Sequence, residues 1–384
     1  MSSCWTAAVT GVGQTEFSSG SGRSQSRLAI EAALLAIADA GLNPGDIDGI
    51  IPYQIGPPAE DLIAMLGLGD VRFTAVSHLG GASPVAGLRT ASLAIAAGQA
   101  EAVLMYVARN GRSGDRVESR VTQQVPGQQF RHGLEHPLGL SLPVQTYSLM
   151  CRRHMLDFGT TREQLGKVAV TMREHALLNP HAQMYGRELT FEQYVTSKPI
   201  ALPYLMFDCS LETDGASAIV ITSAERARDL PQPPVLIRGV AEGHADSADD
   251  LSARNPIYGT GLAKAAPRAF REAGIGPADV DVALIYDCFT FQVIQQLEAA
   301  GFAPLGQGGA FVEAGEIALS GGSLPVNPHG GLLSEGHLAG MNHIVEAVLQ
   351  LRHAGGDRQV PGAEVAAVTG WGDLGDGSLA VLTN

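Results

Sequence analysis

The residue pattern best suited to chemistry runs from Ser323 to Leu351, SLPVNPHGGLLSEGHLAG followed by the apolar run MNHIVEAVLQL. Gly330 and Gly331 admit backbone angles and a close ligand approach that a side chain forbids. His337 is expected at the opening of a helix, where the first N–H groups have no partner within the helix and face outward. Such a place suits an oxygen on which negative charge develops. His329, inside NPHGG, and His78, just before a Gly-rich turn at Gly81, read as residues behind the site or in its loops.

A turn of this kind needs a scaffold, and the rest of the chain reads as buried strands and helices in alternation. Residues 5–12 (WTAAVTGV) form an expected strand, followed by the helix LAIEAALLAIADA, which Gly41 stops. Asn43-Pro44-Gly45 then turns the chain into a strand at 47–51. Pro84 to Gly98 predicts a helix of small residues, and 102–108 (AVLMYVA) a further strand. The stretch ADAGLNPGDIDGII from Ala38 matches REAGIGPADVDVAL from Arg271 at constant offset, with Gly41 on Gly274, Pro44 on Pro277 and Asp46 on Asp279. Each copy joins an amphipathic helix to a buried strand through the same turn, so two similar α/β halves are expected to pack together. A coarser match sets the helix from Pro84 against the helix from His337, which would bring two equivalent helix N-termini to one central site. The halves are expected at 1–225 and 233–384. Residues 109–200 lack clean alternation and read as an inserted loop-and-helix region shaping a pocket, a lid. DGASAIVITSA at 214–224 returns to the first half as a strand, and 226–234 reads as the linker.

Composition narrows the function. A chain of 384 residues with 45% hydrophobic and 17% charged residues has the makeup of an ordinary globular protein. Its formal charge of −14 argues against nucleic acid, whose phosphates need basic surface. Cys4, Cys151, Cys209 and Cys288 form no C-x-x-C pair, so neither a zinc knuckle nor a disulfide framework is expected. A reduced, cytoplasmic setting fits, with no signal peptide and no membrane span. GVGQTE at 11–16 and GTGLAKA at 259–265 do not complete a dinucleotide loop. His132, Glu135 and His136 lack H-E-x-x-H spacing, and no metal is expected. Arg109, Arg112 and Arg116 could meet the phosphates of an anionic ligand, but read more simply as a solvated basic loop.

TDGASA at 213–218, YDCF at 286–289, the NPHGG turn and the Gly-His pair together resemble the thiolase superfamily over nearly the whole chain. The resemblance is to the branch near sterol-carrier-protein thiolases and the cysteine-lacking steroid side-chain aldolases. It implies an α/β fold, two duplicated βαβαβ halves forming an α-β-α-β-α layered core with an inserted loop region. In that family an active cysteine opens the buried helix of the first half. Here the stretch reads SHLGGASPVAGL and the position falls at Gly81. A second family cysteine, expected near Gly370, is also missing. A covalent acyl-enzyme is therefore not expected.

The resemblance implies catalytic roles for Tyr286 and His337. Tyr286 replaces the polar residue that helps the Gly-His histidine hold a thioester oxygen. A neutral tyrosine can donate to an enolate or, with a lowered pKa, accept a proton from a substrate hydroxyl. Steroid side-chain aldolases often carry a tyrosine where this chain has His337, so the two residues would divide base and donor roles differently here. Gly81, Asn327, Gly330 and Gly331 would support the oxyanion or its turn, and His78, His329 and Asp287 would stand behind. Cys288 reads as a small buried hydrophobe. The implied activity is retro-aldol cleavage of a 3-hydroxyacyl-CoA with a steroid or aromatic side chain. The alternatives are an acyltransferase without the usual cysteine and a silent acyl-CoA-binding subunit. The resemblance further implies a CoA thioester as substrate, no cofactor in this chain, a homodimer, and a separate small OB-fold partner bearing a zinc ribbon.

Overall fold

In the computed structural model, residues 7–114, 131–246, 251, 253–372 and 375–384 are described. Cys4, Arg116 and the His132 side chain lie outside the described residues. The first half begins with β1 (Ala7–Gln14) and α1 (Gln25–Asp39). It continues through β2 (Gly49–Pro52), α2 (Ala59–Leu66), β3 (Phe73–Thr74), α3 (Ser83–Ala96) and β4 (Ala102–Asn110). The inserted region carries α4 (Pro143–Phe158), α5 (Arg162–Ala176), α6 (Phe191–Val195) and the short pair β5 (Pro199–Ala201) and β6 (Tyr204–Leu205). β7 (Asp214–Ser223) and α7 (Ala224–Ala227) follow. The second half holds β8 (Val235–Gly243), α8 (Leu262–Ala273), β9 (Val282–Leu284), α9 (Thr290–Ala299) and α10 (Gly308–Glu313). It ends with α11 (Gly331–Ser334), α12 (Met341–Leu351), β10 (Val365–Trp371) and β11 (Gly377–Thr383).

The main sheet runs β3-β2-β4-β7-β1-β8-β11-β10-β9, and its pairing repeats outward from the middle. β1 pairs antiparallel with β7 as β8 does with β11, and β4 with β7 as β10 with β11. β2 then lies parallel to β4 as β9 lies parallel to β10. Among the described residues, the two half-sheets pair only where Ala8 and Val9 face Leu236 and Val235.

Strand alternation sorts side chains into layers. On β4, Leu104, Tyr106 and Ala108 pack outward with α1, whereas Val103, Met105 and Val107 turn inward with residues of α3 and α12. On β11, Ala380 and Leu382 turn to the same inner layer, and Leu379 and Val381 face outward to α8, α9 and the inserted helices. The result is the expected α-β-α-β-α order, with α3 and α12 at its centre. Glycine lets the layers close up in the same way in both halves. A Cβ on Gly11 would overlap the Ala36 carbonyl of α1, and one on Gly239 the Ala269 carbonyl of α8.

The elements match the sequence reading to within a few residues, with three differences. The helix expected to open at His337 begins at Met341, because Ala339 (φ 53°) and Gly340 (φ 83°) take left-handed angles that a continuing helix excludes. His337 therefore lies in the loop between α11 and α12. The expected linker starts inside α7, where Ser223 accepts from Arg226 N and caps a short helical turn. Arg109, expected at the start of the inserted loop, belongs to β4.

Candidate active site

The backbone of Tyr286 is clamped just after β9. Its N–H donates to Thr369 Oγ1 (3.1 Å), its carbonyl accepts from Gln296 Nε2 (2.6 Å), and Thr369 donates to Gln296 Oε1 (2.7 Å). The ring then passes between Gly81 and Gly340. A Cβ on Gly81 would overlap the ring and its hydroxyl, and one on Gly340 would sit 3.0 Å from Tyr286 Cδ2. Gly81 and Gly340 lie just before α3 and α12, so these two helix entries do meet around one side chain.

Tyr286 Oη lies 3.0 Å from His337 Nε2. The histidine loop is tied on both sides: His337 N donates to Thr213 Oγ1 (2.9 Å), and Asn342 Nδ2 donates to Gly336 O (3.0 Å). One proton can sit on either partner of the Tyr–His contact, which is what a group that takes and returns a proton requires.

A buried polar chain backs this pair. Asp287 accepts from Leu332 N (2.7 Å) and Leu333 N (3.2 Å), capping α11. His343 Nε2 lies 3.2 Å from Asp287 Oδ1, and His343 Nδ1 lies 2.9 Å from His329 Nε2. Glu335 Oε2 lies 3.6 Å from His329 and accepts from Asn342 Nδ2 (2.7 Å), while Oε1 accepts from Asn179 Nδ2 (3.1 Å). Burial, with the neighbouring His343, holds His329 well below the usual histidine range. Burial lifts the Glu335 carboxyl to about 8, against the opposing pull of the Asn342 and Asn179 donors.

The expected supporting residues occupy distinct places. Asn327, at φ 50°, accepts from Ile285 N (2.7 Å) and donates to Ile285 O (2.8 Å). Its amide is thus engaged with the strand leading to Tyr286, a support of the turn. Gly330 (φ 102°) and Gly331 (φ 64°) let the turn press against Ala176 and Asp287. His78 is exposed and forms no part of the cavity wall, so the structure does not bring it to the others.

Tyr286, His337 and Gly81 line a cavity of about 890 Å³, with Leu142, Val144 and Phe207 of the inserted region among its apolar walls. That volume lies in the upper part of the ~300–1,000 Å³ range of small-molecule sites. Cys288 and Cys209 also reach it, and burial pushes the Cys209 thiol up to about 12, where it is a poor nucleophile at neutral pH. Arg109 is a correction to the sequence reading. It is 5% exposed, lines the cavity and donates from Nη2 to Tyr53 Oη (3.1 Å), whereas Arg112 is exposed at the rim. The signal lay in β4 itself, since alternation sets position 109 on the inward face of Val103, Met105 and Val107. Tyr53 and Thr213 were likewise not singled out by sequence.

The chain as a whole is similar to known proteins. Residues 243–384 match the thiolase C-terminal domain-like family. A 17-hydroxy-3-oxo-4-pregnene-20-carboxyl-CoA lyase of Mycobacterium tuberculosis is 41% identical over 90% of this chain and 91% of its own. A steroid side-chain-cleaving aldolase of Thermomonospora curvata is 39% identical over 90% of each chain. Among solved structures, the Ltp2-ChsH2(DUF35) aldolase superposes with a TM-score of 0.92 at 37% identity, covering 100% of this chain and 99% of the other.

Proposed function

The chain belongs to the steroid side-chain-cleaving aldolases of the thiolase superfamily, and we propose that it is a carbon–carbon lyase acting on a 3-hydroxyacyl-CoA with a steroid acyl part. The observation that carries the reading is the 3.0 Å contact of Tyr286 Oη with His337 Nε2 in a cavity where Gly81 stands at the nucleophile's position. A retro-aldol step needs no covalent intermediate. The Tyr286–His337 pair takes the proton of the substrate's tertiary hydroxyl, and the carbon–carbon bond breaks. The hydroxyl-bearing carbon becomes a ketone, and the electron pair of the broken bond passes to the α-carbon and thioester oxygen as an enolate. The pair returns the proton to the α-carbon, so protons and electrons balance without a further reactant. The buried chain from Asp287 to Glu335 holds the loops that bear the pair.

Acyl transfer would need a thiol where the Tyr286 ring now lies, so this geometry favours the lyase. The Ltp2-ChsH2(DUF35) aldolase carries two names joined as one assembly, which supports a separate partner here. We take that partner to be a small zinc-ribbon OB-fold protein, the chain to be a homodimer, its setting the cytoplasm, and its ligand a CoA thioester with no cofactor of its own. No described helix is long and apolar enough to cross a membrane.

The test is release of ketone and shortened acyl-CoA from a 3-hydroxyacyl-CoA with a tertiary hydroxyl, with and without the partner. Tyr286→Phe is expected to lower kcat by ~10²–10⁴, the usual worth of a positioned acid–base group. Full turnover in Tyr286→Phe would remove the tyrosine from the mechanism. An acyl-enzyme trapped with the same substrate would move the protein to acyl transfer.

A further inference from the structure

Arg109 brings a full positive charge into the wall of the cavity. It is 5% exposed, yet none of the described carboxylates pairs with it. Nη2 donates to Tyr53 Oη, the guanidinium lies 5.2 Å from the Tyr53 ring centroid, and Nε is buried with no acceptor. A buried cation with an unused donor is costly unless something anionic or strongly accepting meets it.

Its position shows which part of the cavity it serves. In the first half-sheet Arg109 faces Gly215, the second residue of β7. Val103 pairs with Gly49 and Ile221 as Ala366 pairs with Val282 and Leu382, and Gly49 and Val282 correspond in the 38–51 and 271–284 repeat. Six residues further along each strand direction, Arg109 and Gly372 are therefore counterparts under the internal duplication. A Cβ on Gly372 would lie 2.5 Å from the Leu79 carbonyl, four residues ahead of α3. The same relation sets Arg109 toward the segment ahead of α12, where His337 lies four residues before Met341. Contacts agree: the Phe17 ring lies against both Gly215, the strand partner of Arg109, and Gly336, next to His337.

We propose that Arg109 binds the substrate oxygen that becomes negative on carbon–carbon cleavage, the thioester oxygen of the enolate. This rests on the retro-aldol reading above and adds to it a third group that touches reacting atoms. Tyr286 and His337 move the proton, and Arg109 holds the charge left behind. Tyr53 fixes the guanidinium through its hydroxyl, so Arg109 is set before substrate arrives and little reorganisation accompanies the step.

The experiment uses the full chain with its partner protein and two readouts. One is cleavage of the 3-hydroxyacyl-CoA. The other is exchange of α-hydrogen for deuterium in a short acyl-CoA such as propionyl-CoA, which requires an enolate but breaks no carbon–carbon bond. Arg109→Gln is expected to lower both kcat and exchange by ~10²–10³, with KM for the acyl-CoA changed only a few-fold. Arg109→Lys keeps the charge and is expected to recover part of both rates. Tyr53→Phe leaves the cation but frees Nη2, and should give a smaller loss in the same direction. Exchange at the wild-type rate in Arg109→Gln would overturn the assignment. So would a raised KM with kcat and exchange intact, because Arg109 would then hold a distant polar group. Wild-type protein that exchanges but never cleaves would refute the retro-aldol reading alone, leaving the Arg109 comparison to stand on exchange.

Discussion

The ring of Tyr286 fills the volume that any side chain at Gly81 would need, so these two positions cannot change independently. Loss of a nucleophile at one and gain of a tyrosine at the other form a single exchange of chemistry within one space. Gly81→Ala is expected to force the ring aside, costing about 1–3 kcal/mol of stability as overpacking does, and to break the 3.0 Å contact with His337. Turnover should then fall about as far as in Tyr286→Phe. The double variant Gly81→Ala with Tyr286→Ser should regain much of the lost stability and none of the activity, a non-additivity read by urea unfolding and turnover. Equal stability losses from Gly81→Ala with and without the ring present would show that the two positions do not share this space. Both residues were legible in the sequence as departures from a family pattern. Their contact was not, because nothing in a linear chain shows that a ring after β9 reaches the entry of α3. Arg109 was misread for a related reason: nearby Arg112 and Arg116 suggested a charged loop, and the inward face of β4 extends to that arginine.

The loop between α11 and α12 is held by its own side chains rather than by a helix. Gly336 O and Glu335 Oε2 both accept from Asn342 Nδ2, and Ala339 and Gly340 turn the chain left-handed before α12 begins. A Gly-His pair ahead of an apolar periodic run reads as a helix start, and only the observed backbone angles place the start four residues later. Glu335 gives this loop a pH signature. Burial raises its carboxyl from 4.5 to about 8, so the folded chain keeps a proton that the unfolded chain gives up across that range. Stability from this group is full below about 4.5 and falls as pH rises toward 8, by up to ~1.4 kcal/mol per pH unit. Glu335→Gln removes the titration. Urea unfolding between pH 5 and 8 should show the wild type losing stability relative to the variant as pH rises. Parallel curves would mean that Glu335 is ionised in the folded protein. Below pH 6.5 the buried His175, lowered to about 4 by burial, acts in the opposite sense, because the unfolded chain then takes up the proton. Comparison with the variant separates the two.

At the scale of the whole molecule, the duplicated halves share one interior. The 38–51 and 271–284 repeat was legible because local turn chemistry repeats with its residues. The shared layer was less so, since α3 is made of small residues and α12 of larger ones, and only packing shows them as equivalents. Ile344 on α12 is fully buried in the central cluster, which also contains Val103 and Ile219 of the first half and Val368 and Leu382 of the second. Among the described residues, the two half-sheets otherwise pair through two residue pairs of β1 and β8. Cohesion between halves is therefore expected to reside mainly in this layer, and the halves proposed at 1–225 and 233–384 are expected to unfold together. Ile344→Ala should destabilise the protein by about 2–5 kcal/mol, as truncations in a packed core do. Unfolding should remain a single transition, and amide hydrogen exchange should quicken in β7 as much as in β10. Faster exchange confined to β10, or two separate transitions, would mean that each half is stable by itself. In that case the Tyr286 ring between the entries to α3 and α12 would be a contact between independent units, and Gly81→Ala should loosen their docking rather than lower the stability of either.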